Sequence, residues 1–254
     1  MYLRILCKSS SDVNYIIREV KVIGTNDVDY KLAAQPASEA DGIHKLTGGN
    51  WTIQRASLVQ SNGETLSQAE YDDSDWLPAT VPGTAFVSWL NAGAVPNPYY
   101  DDWQFQASDI FFTADFWYRN SFDIPAAQRG KKVYLNFDAI NWKADVWFNG
   151  RLLQNNLSGY AHSIEGAFIR AKFDVSALAN YRGQNHLAVL IHRNKTPGLV
   201  TTQGLAEGPL PNGGELGQNN PTIHAAVGWD WLPTIRGRDI GIYNDVTMTY
   251  SGAV

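Results

Sequence analysis

Between residues 115 and 192 apolar and polar side chains alternate almost without a break, and this period of two narrows the possible folds more than any other feature of the chain. Val133, Leu135 and Phe137 alternate with Tyr134, Asn136 and Asp138. Trp142, Ala144, Val146 and Phe148 alternate with Lys143, Asp145 and Trp147, and Leu187, Val189 and Ile191 continue the pattern. Successive side chains of an extended strand point to opposite faces, so each run predicts a strand with one apolar face. Phe116-Trp117-Tyr118-Arg119 opens a further strand, and Asn149-Gly150 supplies the positive-φ pair of a type I′ hairpin turn before Arg151-Leu152-Leu153. Short strands at this spacing, with turns between them and almost no helical periodicity, predict two packed antiparallel sheets. The expected fold class is all-β, a β-sandwich.

Length and composition bound what such a sandwich can do. A chain of 254 residues fits one large all-β domain, or one domain plus a fragment. With 44% hydrophobic and 18% charged residues it can bury a core and is not of the disordered class. The formal charge of -5 comes without a lysine or arginine cluster, which argues against a nucleic-acid partner. Cys7 stands alone, so neither an intrachain disulfide nor a cysteine-based metal site is available. No stretch approaches the roughly 20 apolar residues that span a bilayer, and no membrane partner is expected. The N-terminus Met1-Tyr2-Leu3-Arg4-Ile5-Leu6-Cys7 is too short for a signal-peptide core and reads as a start inside a longer protein. No cofactor is expected.

Taken in order, residues 1–24 read as two strands around the turn Ser9-Ser10-Ser11-Asp12, and such a hairpin needs a partner sheet. Residues 25–47 are polar and mixed and read as a linker, with the main domain expected over 48–254 and its first strand at Trp51–Ala56. Tyr71-Asp72-Asp73-Ser74-Asp75-Trp76 places three aspartates in four residues but lacks the ligand spacing of an EF-hand, so a solvated turn is expected there, not a metal. Thr84 is placed to cap one short helix running to about Asn91, with Phe86, Val87 and Leu90 on one face and Gly93 ending it. That helix is expected to close one end of the sandwich. In Val95-Pro96-Asn97-Pro98 two prolines hold the backbone near extended geometry around Asn97. The loop is either a rigid surface turn or a pre-organised contributor of Asn97 to a sugar pocket. Residues 194–221 are broken by prolines and glycines into a long irregular insertion, the kind of loop that is usually functional or mobile.

The insertion leads into Gly228-Trp229-Asp230-Trp231-Leu232-Pro233, where a carboxylate stands between two indoles, with Arg236 and Arg238 just beyond. Aromatic faces beside hydrogen-bonding groups suit a sugar, which carries apolar C–H patches and a rim of hydroxyls. The competing reading packs Trp229 and Trp231 inward and uses Asp230 to cap a turn. Arg236 and Arg238 either touch substrate or pair with carboxylates at a domain interface, and pairing is favoured.

Several of these stretches resemble known families. Tyr2-Leu3-Arg4 with Glu19-Val20-Lys21-Val22-Ile23-Gly24 is similar to the last two strands of a discoidin-like carbohydrate-binding domain. Tyr118-Arg119, the run Asn136–Gly150, Phe173-Asp174-Val175-Ser176-Ala177-Leu178, Gly228-Trp229-Asp230-Trp231 and Gly241–Val246 occur in the order of another family. Over roughly residues 48–250 the chain resembles the N-terminal jelly-roll, galactose-binding-domain-like "sugar-binding" domain of glycoside hydrolase family 2. The resemblance implies a non-catalytic domain followed by an immunoglobulin-like domain and a TIM barrel that carries the two catalytic glutamates. Retaining hydrolysis needs two carboxyl groups about 5–5.5 Å apart, and the resemblance puts both outside this chain, which is then inactive by itself. It further implies that Asp230 reaches the terminal sugar in the barrel's site, that Trp229, Trp231 and Asn97 border it, and that the parent protein is periplasmic or secreted. The implied partners are a β-linked glycan and the chain's own downstream domains. Leu232-Pro233 stands where the family usually has Gly-Pro, which leaves the sugar open. Two other functions compete: an independent carbohydrate-binding module, and a self-sufficient hydrolase pairing Asp230 with Glu207 or Glu215.

Overall fold

The computed structural model describes residues 42–48, 50–95, 97, 108–111, 113–155, 159–195 and 240–253, all within the compact unit Ala34–Val254. The strands expected in residues 1–24 lie outside the described residues. In chain order the strands are β1 Ile43–Lys45, β2 Thr52–Arg55, β3 Leu77–Pro78, β4 Phe116–Phe122, β5 Lys131–Phe137, β6 Lys143–Phe148, β7 Arg151–Leu153, β8 Ile164–Glu165, β9 Ala171–Asp174, β10 Asn185–His192 and β11 Val246–Ala253. One sheet has the order β1-β11-β5-β9, the other β3-β2-β4-β10-β6-β7, with β8 paired to β6. Among the described residues every strand pairing is antiparallel.

The period of two becomes a shared core. Phe116, Tyr118, Val146, Phe148, Leu187, Val189 and Ile191 of the larger sheet meet Val133, Leu135, Phe137, Phe173, Val246 and Met248 of the smaller one. Each such side chain, once removed from water, contributes roughly 1.5–3 kcal/mol. The fold is a β-sandwich, as the alternation predicts. At the Asn149-Gly150 turn both residues have positive φ, +47° and +80°, and Phe148 pairs with Arg151 across it. The strand β1 falls inside the stretch read as a linker; it is the edge partner of β11, with Ile43 opposite Thr249.

Two α-helices are described where the sequence predicts one. The anticipated helix is α2, Ala85–Asn91, capped by Thr84 Oγ1 accepting from the Val87 amide at 3.1 Å. It ends with the Gly93 amide bonded to Leu90 O and the Ala94 amide to Trp89 O, with Gly93 at φ +72°. Its buried face is Ala85, Ser88 and Trp89, with Phe86 and Leu90 half-buried against the core. Val87, also on the predicted face, is half-buried like Phe86 and Leu90. The unanticipated helix is α1, Gly63–Leu66, whose N-cap Asn62 accepts from the Thr65 amide. Four residues are too few to show a helical period, which is why the pattern missed it.

Helix α1 explains why Trp117 and Trp147 point away from the main core. With Leu66, Trp76 and Ala188 they form a second apolar cluster on the outer face of the larger sheet, the two indoles 5.3 Å apart. A Cβ on Gly63 would fall 2.2 Å from the Trp147 ring, so only glycine lets the helix settle there.

The aspartate-rich turn beside α1 has a structural task. Asp73 Oδ1 pairs with the buried Arg119 guanidinium at 2.5 Å, and Asp73 Oδ2 accepts from Thr52 Oγ1 at 2.6 Å. Arg119 also donates to Leu66 O and Gln68 O and lies over the Tyr71 ring. Asp72 instead accepts the Ser74 amide.

On the same face His186 contacts Ser121 Oγ at 2.9 Å. Burial and then the Arg119 charge push its pKa below the ordinary 6.5. Because the folded value is the lower one, the unfolded chain takes up this proton first as pH falls. The associated stability is present above about pH 6.5 and is lost on acidification through that range. The urea midpoint is therefore expected to fall between pH 7 and pH 5, and His186→Gln to reduce that fall. An unchanged pH profile in the variant would remove His186 from the account.

Candidate functional site

The predicted site residues Trp229, Asp230 and Trp231 lie outside the described residues, as do Arg236, Arg238, Glu207 and Glu215. Asn97 is described and solvent-exposed. The structure does describe the frame from which these loops depart. Strand β10 ends at His192 opposite Lys143, the first residue of β6, and Ile191 lies opposite Phe116, the first residue of β4. The segment holding Asn97 leads into β4, and the segment holding Asp230 is bounded by Lys195 on one side and Ile240 on the other. Both segments are thus flanked by elements at one end of the sandwich.

That end is closed by a backbone clamp around Gly241. The Ala85 amide donates to Ile240 O and the Gly83 amide to Ile242 O, both at 2.8 Å. On the opposite side Asn141 and Gly241 exchange backbone bonds of 2.9 and 3.1 Å. Gly241 has φ +144°, and a Cβ there would lie 2.9 Å from Ala85 N, Gly83 O and Thr84 Cα. Ile240 and Ile242 flank it as buried anchors, and the Tyr243 hydroxyl donates to Ala167 O. The Gly166 amide donates to Trp142 O at 2.7 Å, and Trp89 of α2 lies 5.6 Å from Phe111. The peptide bonds Val81-Pro82 and Asn141-Trp142 at this end are cis. The helix does close the end of the sandwich, as its position in the sequence predicts, through the backbone amides of Gly83 and Ala85 as much as through its apolar face.

Close by, on the outer face of the larger sheet, three side chains converge that the sequence reading did not connect. Asp145 Oδ2 lies 3.1 Å from His162 Nδ1 and 2.8 Å from His192 Nε2. The two imidazole centroids are 4.4 Å apart, tilted by 46°. Asp145 is on β6, His192 on β10, and His162 just ahead of β8, and all three are half-buried. Glu165 fixes the His162 segment by accepting the Ala161 and His162 amides. Burial pushes the Asp145 carboxyl up, but the hydrogen bonds from His192 and His162, with their charge, outweigh it and hold the group below its ordinary value. Among the described residues this is the group of histidines and acids close enough to hold a metal ion. The residues are 17 and 47 positions from Asp145, so only strand register could have joined them.

Comparison with known proteins gives one family. The family described as "Glycosyl hydrolase 2 galactose-binding domain-like" matches residues 51–244. The mannosylglycoprotein endo-beta-mannosidase of Lilium longiflorum is 30% identical over 217 residues, covering 83% of this chain and 21% of that protein. The exo-beta-D-glucosaminidase of Streptomyces avermitilis is 27% identical over 219 residues, covering 86% of this chain and 20% of that protein. Among solved structures, the exo-chitosanase of Amycolatopsis orientalis shares the fold at a TM-score of 0.62 with 22% identity, over 83% of this chain and 21% of the other. The chain therefore spans about a fifth of the length of the curated relatives it matches.

Proposed function

Because this chain belongs to the galactose-binding-like domain family of glycosyl hydrolase family 2, matched across residues 51–244, we propose that it serves as the non-catalytic N-terminal module of a multidomain retaining hydrolase of β-linked sugars. In this reading Asp230 extends to the terminal-sugar subsite of a TIM-barrel domain, flanked by Trp229 and Trp231 and bordered by Asn97. The observation that carries it is the coverage: a match along most of this chain that occupies only about a fifth of each hydrolase. The names of those relatives, acting on β-mannosides and β-glucosaminides, support a β-linked glycan as substrate class.

The geometry fits a supporting role. Among the described residues the space between the sheets is filled by side chains, which leaves the loops and outer faces as the places where a sugar can be met. The bonds at Ile240–Ile242 anchor the chain where the segment that carries Asp230 ends. Such positioning from outside the barrel acts by orientation, which is worth several kcal/mol when the reacting groups are held in place.

The test uses the isolated chain. Aryl β-glycosides incubated with it are expected to show no turnover, and calorimetry with mono- and oligosaccharides to show no binding tighter than about millimolar, equivalent to roughly -4 kcal/mol. Clear micromolar binding would instead identify an independent carbohydrate-binding module. Turnover that disappears in Asp230→Asn would identify a self-sufficient hydrolase. In the longer protein, Asp230→Asn is expected to lower kcat/KM by about 100-fold, the scale of losing one oriented polar contact to the reacting sugar.

A further inference from the structure

We propose that Asp145, His162 and His192 form a binding site for a divalent transition-metal ion of the zinc class. Two imidazole nitrogens and a carboxylate oxygen are the donor set that such ions favour, whereas calcium and magnesium take oxygen ligands. The three ligand atoms, His162 Nδ1, His192 Nε2 and an Asp145 oxygen, all lie within 4.8 Å of one another. Around a tetrahedral zinc with ligand bonds of about 2.0–2.2 Å, neighbouring ligand atoms sit roughly 3.3–3.6 Å apart. The observed separations of 3.1 and 2.8 Å from Asp145 Oδ2 need to open by roughly half an ångström to admit the ion.

The scaffold is suited to hold that geometry. Asp145 and His192 project from the same face of adjacent paired strands, since Asp145 lies opposite Leu190 and Lys143 opposite His192. His162 reaches the same point because the strand that follows it pairs Ile164 with Ala144. Two of the three ligands, Asp145 and His192, stand on strands, which place ligands more firmly than loops do, and the His162 bend is held by Glu165 accepting its amide. Outer contacts are present as well: Asp145 Oδ1 accepts the Ser163 amide at 3.3 Å, and the Ser163 hydroxyl donates to Leu153 O. Partners of this kind orient metal ligands and matter for affinity. Three protein ligands leave a fourth position for water or a ligand group, the open arrangement of a non-structural zinc site. Bound there, the ion ties β6, β10 and the start of β8 together at the end where the chain leaves β10.

Titration of the tag-free chain with zinc chloride by calorimetry tests the assignment. One ion per chain, with micromolar or tighter affinity and no competition from calcium or magnesium, is expected. His162→Ala and His192→Ala are each expected to weaken binding by about 100-fold or more, and His44→Ala to leave it unchanged. No stoichiometric binding to the folded chain, or equal affinity in the His162→Ala/His192→Ala double variant, overturns the proposal. Should either variant fail to fold, zinc-edge X-ray absorption on the unaltered chain decides: two imidazoles in the first shell support the site, and an oxygen-only shell rejects it.

Discussion

Asp73→Ala is expected to destabilise the fold by about 3 kcal/mol, more than removal of the arginine it pairs with. The Arg119 side chain is only 4% exposed, and Asp73 is its carboxylate partner. Deleting one member of a buried pair leaves an uncompensated charge, which costs roughly 3–5 kcal/mol. The lower end applies here because Asp73 is 28% exposed and the guanidinium keeps Leu66 O and Gln68 O as acceptors. Arg119→Met removes the charge together with its bonds and retains an apolar stem, so a smaller loss of about 1–2 kcal/mol is expected. The double variant should then resemble Arg119→Met alone, because Asp73 has little left to compensate. Urea denaturation of the four proteins measures this cycle. A loss below about 1 kcal/mol for Asp73→Ala, or strict additivity in the double variant, would show that the guanidinium is solvated well enough without its partner.

The second large effect is expected at Gly241. An alanine there meets three backbone atoms at 2.9 Å, none of which is the yielding end of a flexible side chain, at a φ of +144°. Backbone strain of this kind costs about 1–3 kcal/mol and overpacking a similar amount, so Gly241→Ala should lose about 3–5 kcal/mol. Gly93 is the internal control. Its φ of +72° is also positive, but a Cβ meets nothing within 4 Å, and Gly93→Ala should lose only about 1–2 kcal/mol. On the proposed function, Gly241→Ala in the multidomain hydrolase is further expected to lower kcat/KM by about 100-fold, because a displacement of about 1 Å in a positioning loop has effects of that size. The measurements are thermal denaturation for stability and steady-state kinetics on an aryl glycoside. Equal losses of stability in the two glycine variants would show that the clamp relaxes freely.

The features that could be read from the chain are those in which one local rule dominates. Alternation exposed the buried faces of β5, β6 and β10, and Asn149-Gly150 and Thr84 marked a turn and a helix start through backbone chemistry that depends only on their neighbours. Where two rules compete, local pattern does not decide the outcome. Trp147 sits at an outward strand position that the period of two assigns to solvent, yet it is covered by α1. The three residues of β1 show no apolar pattern, because an edge strand gains its place from backbone pairing with β11. Asp73 sits in a turn that reads as solvated, because its partner Arg119 is distant in the chain. The motif around Asp230 stands out through its resemblance to a family, while the Asp145, His162 and His192 cluster has no motif at all and exists only in the register of β6 against β10 and β8.

The pairing of β1 with β11 also sets how the domain responds to load. Ile43 lies opposite Thr249 and Lys45 opposite Thr247, so the chain enters and leaves the described fold along neighbouring antiparallel strands. Tension applied between residue 42 and residue 253 opens that pair one rung at a time and does not shear several rungs together. The domain should yield mechanically at low force from this edge, with the Leu46 amide bond to Val246 O as the next rung to part.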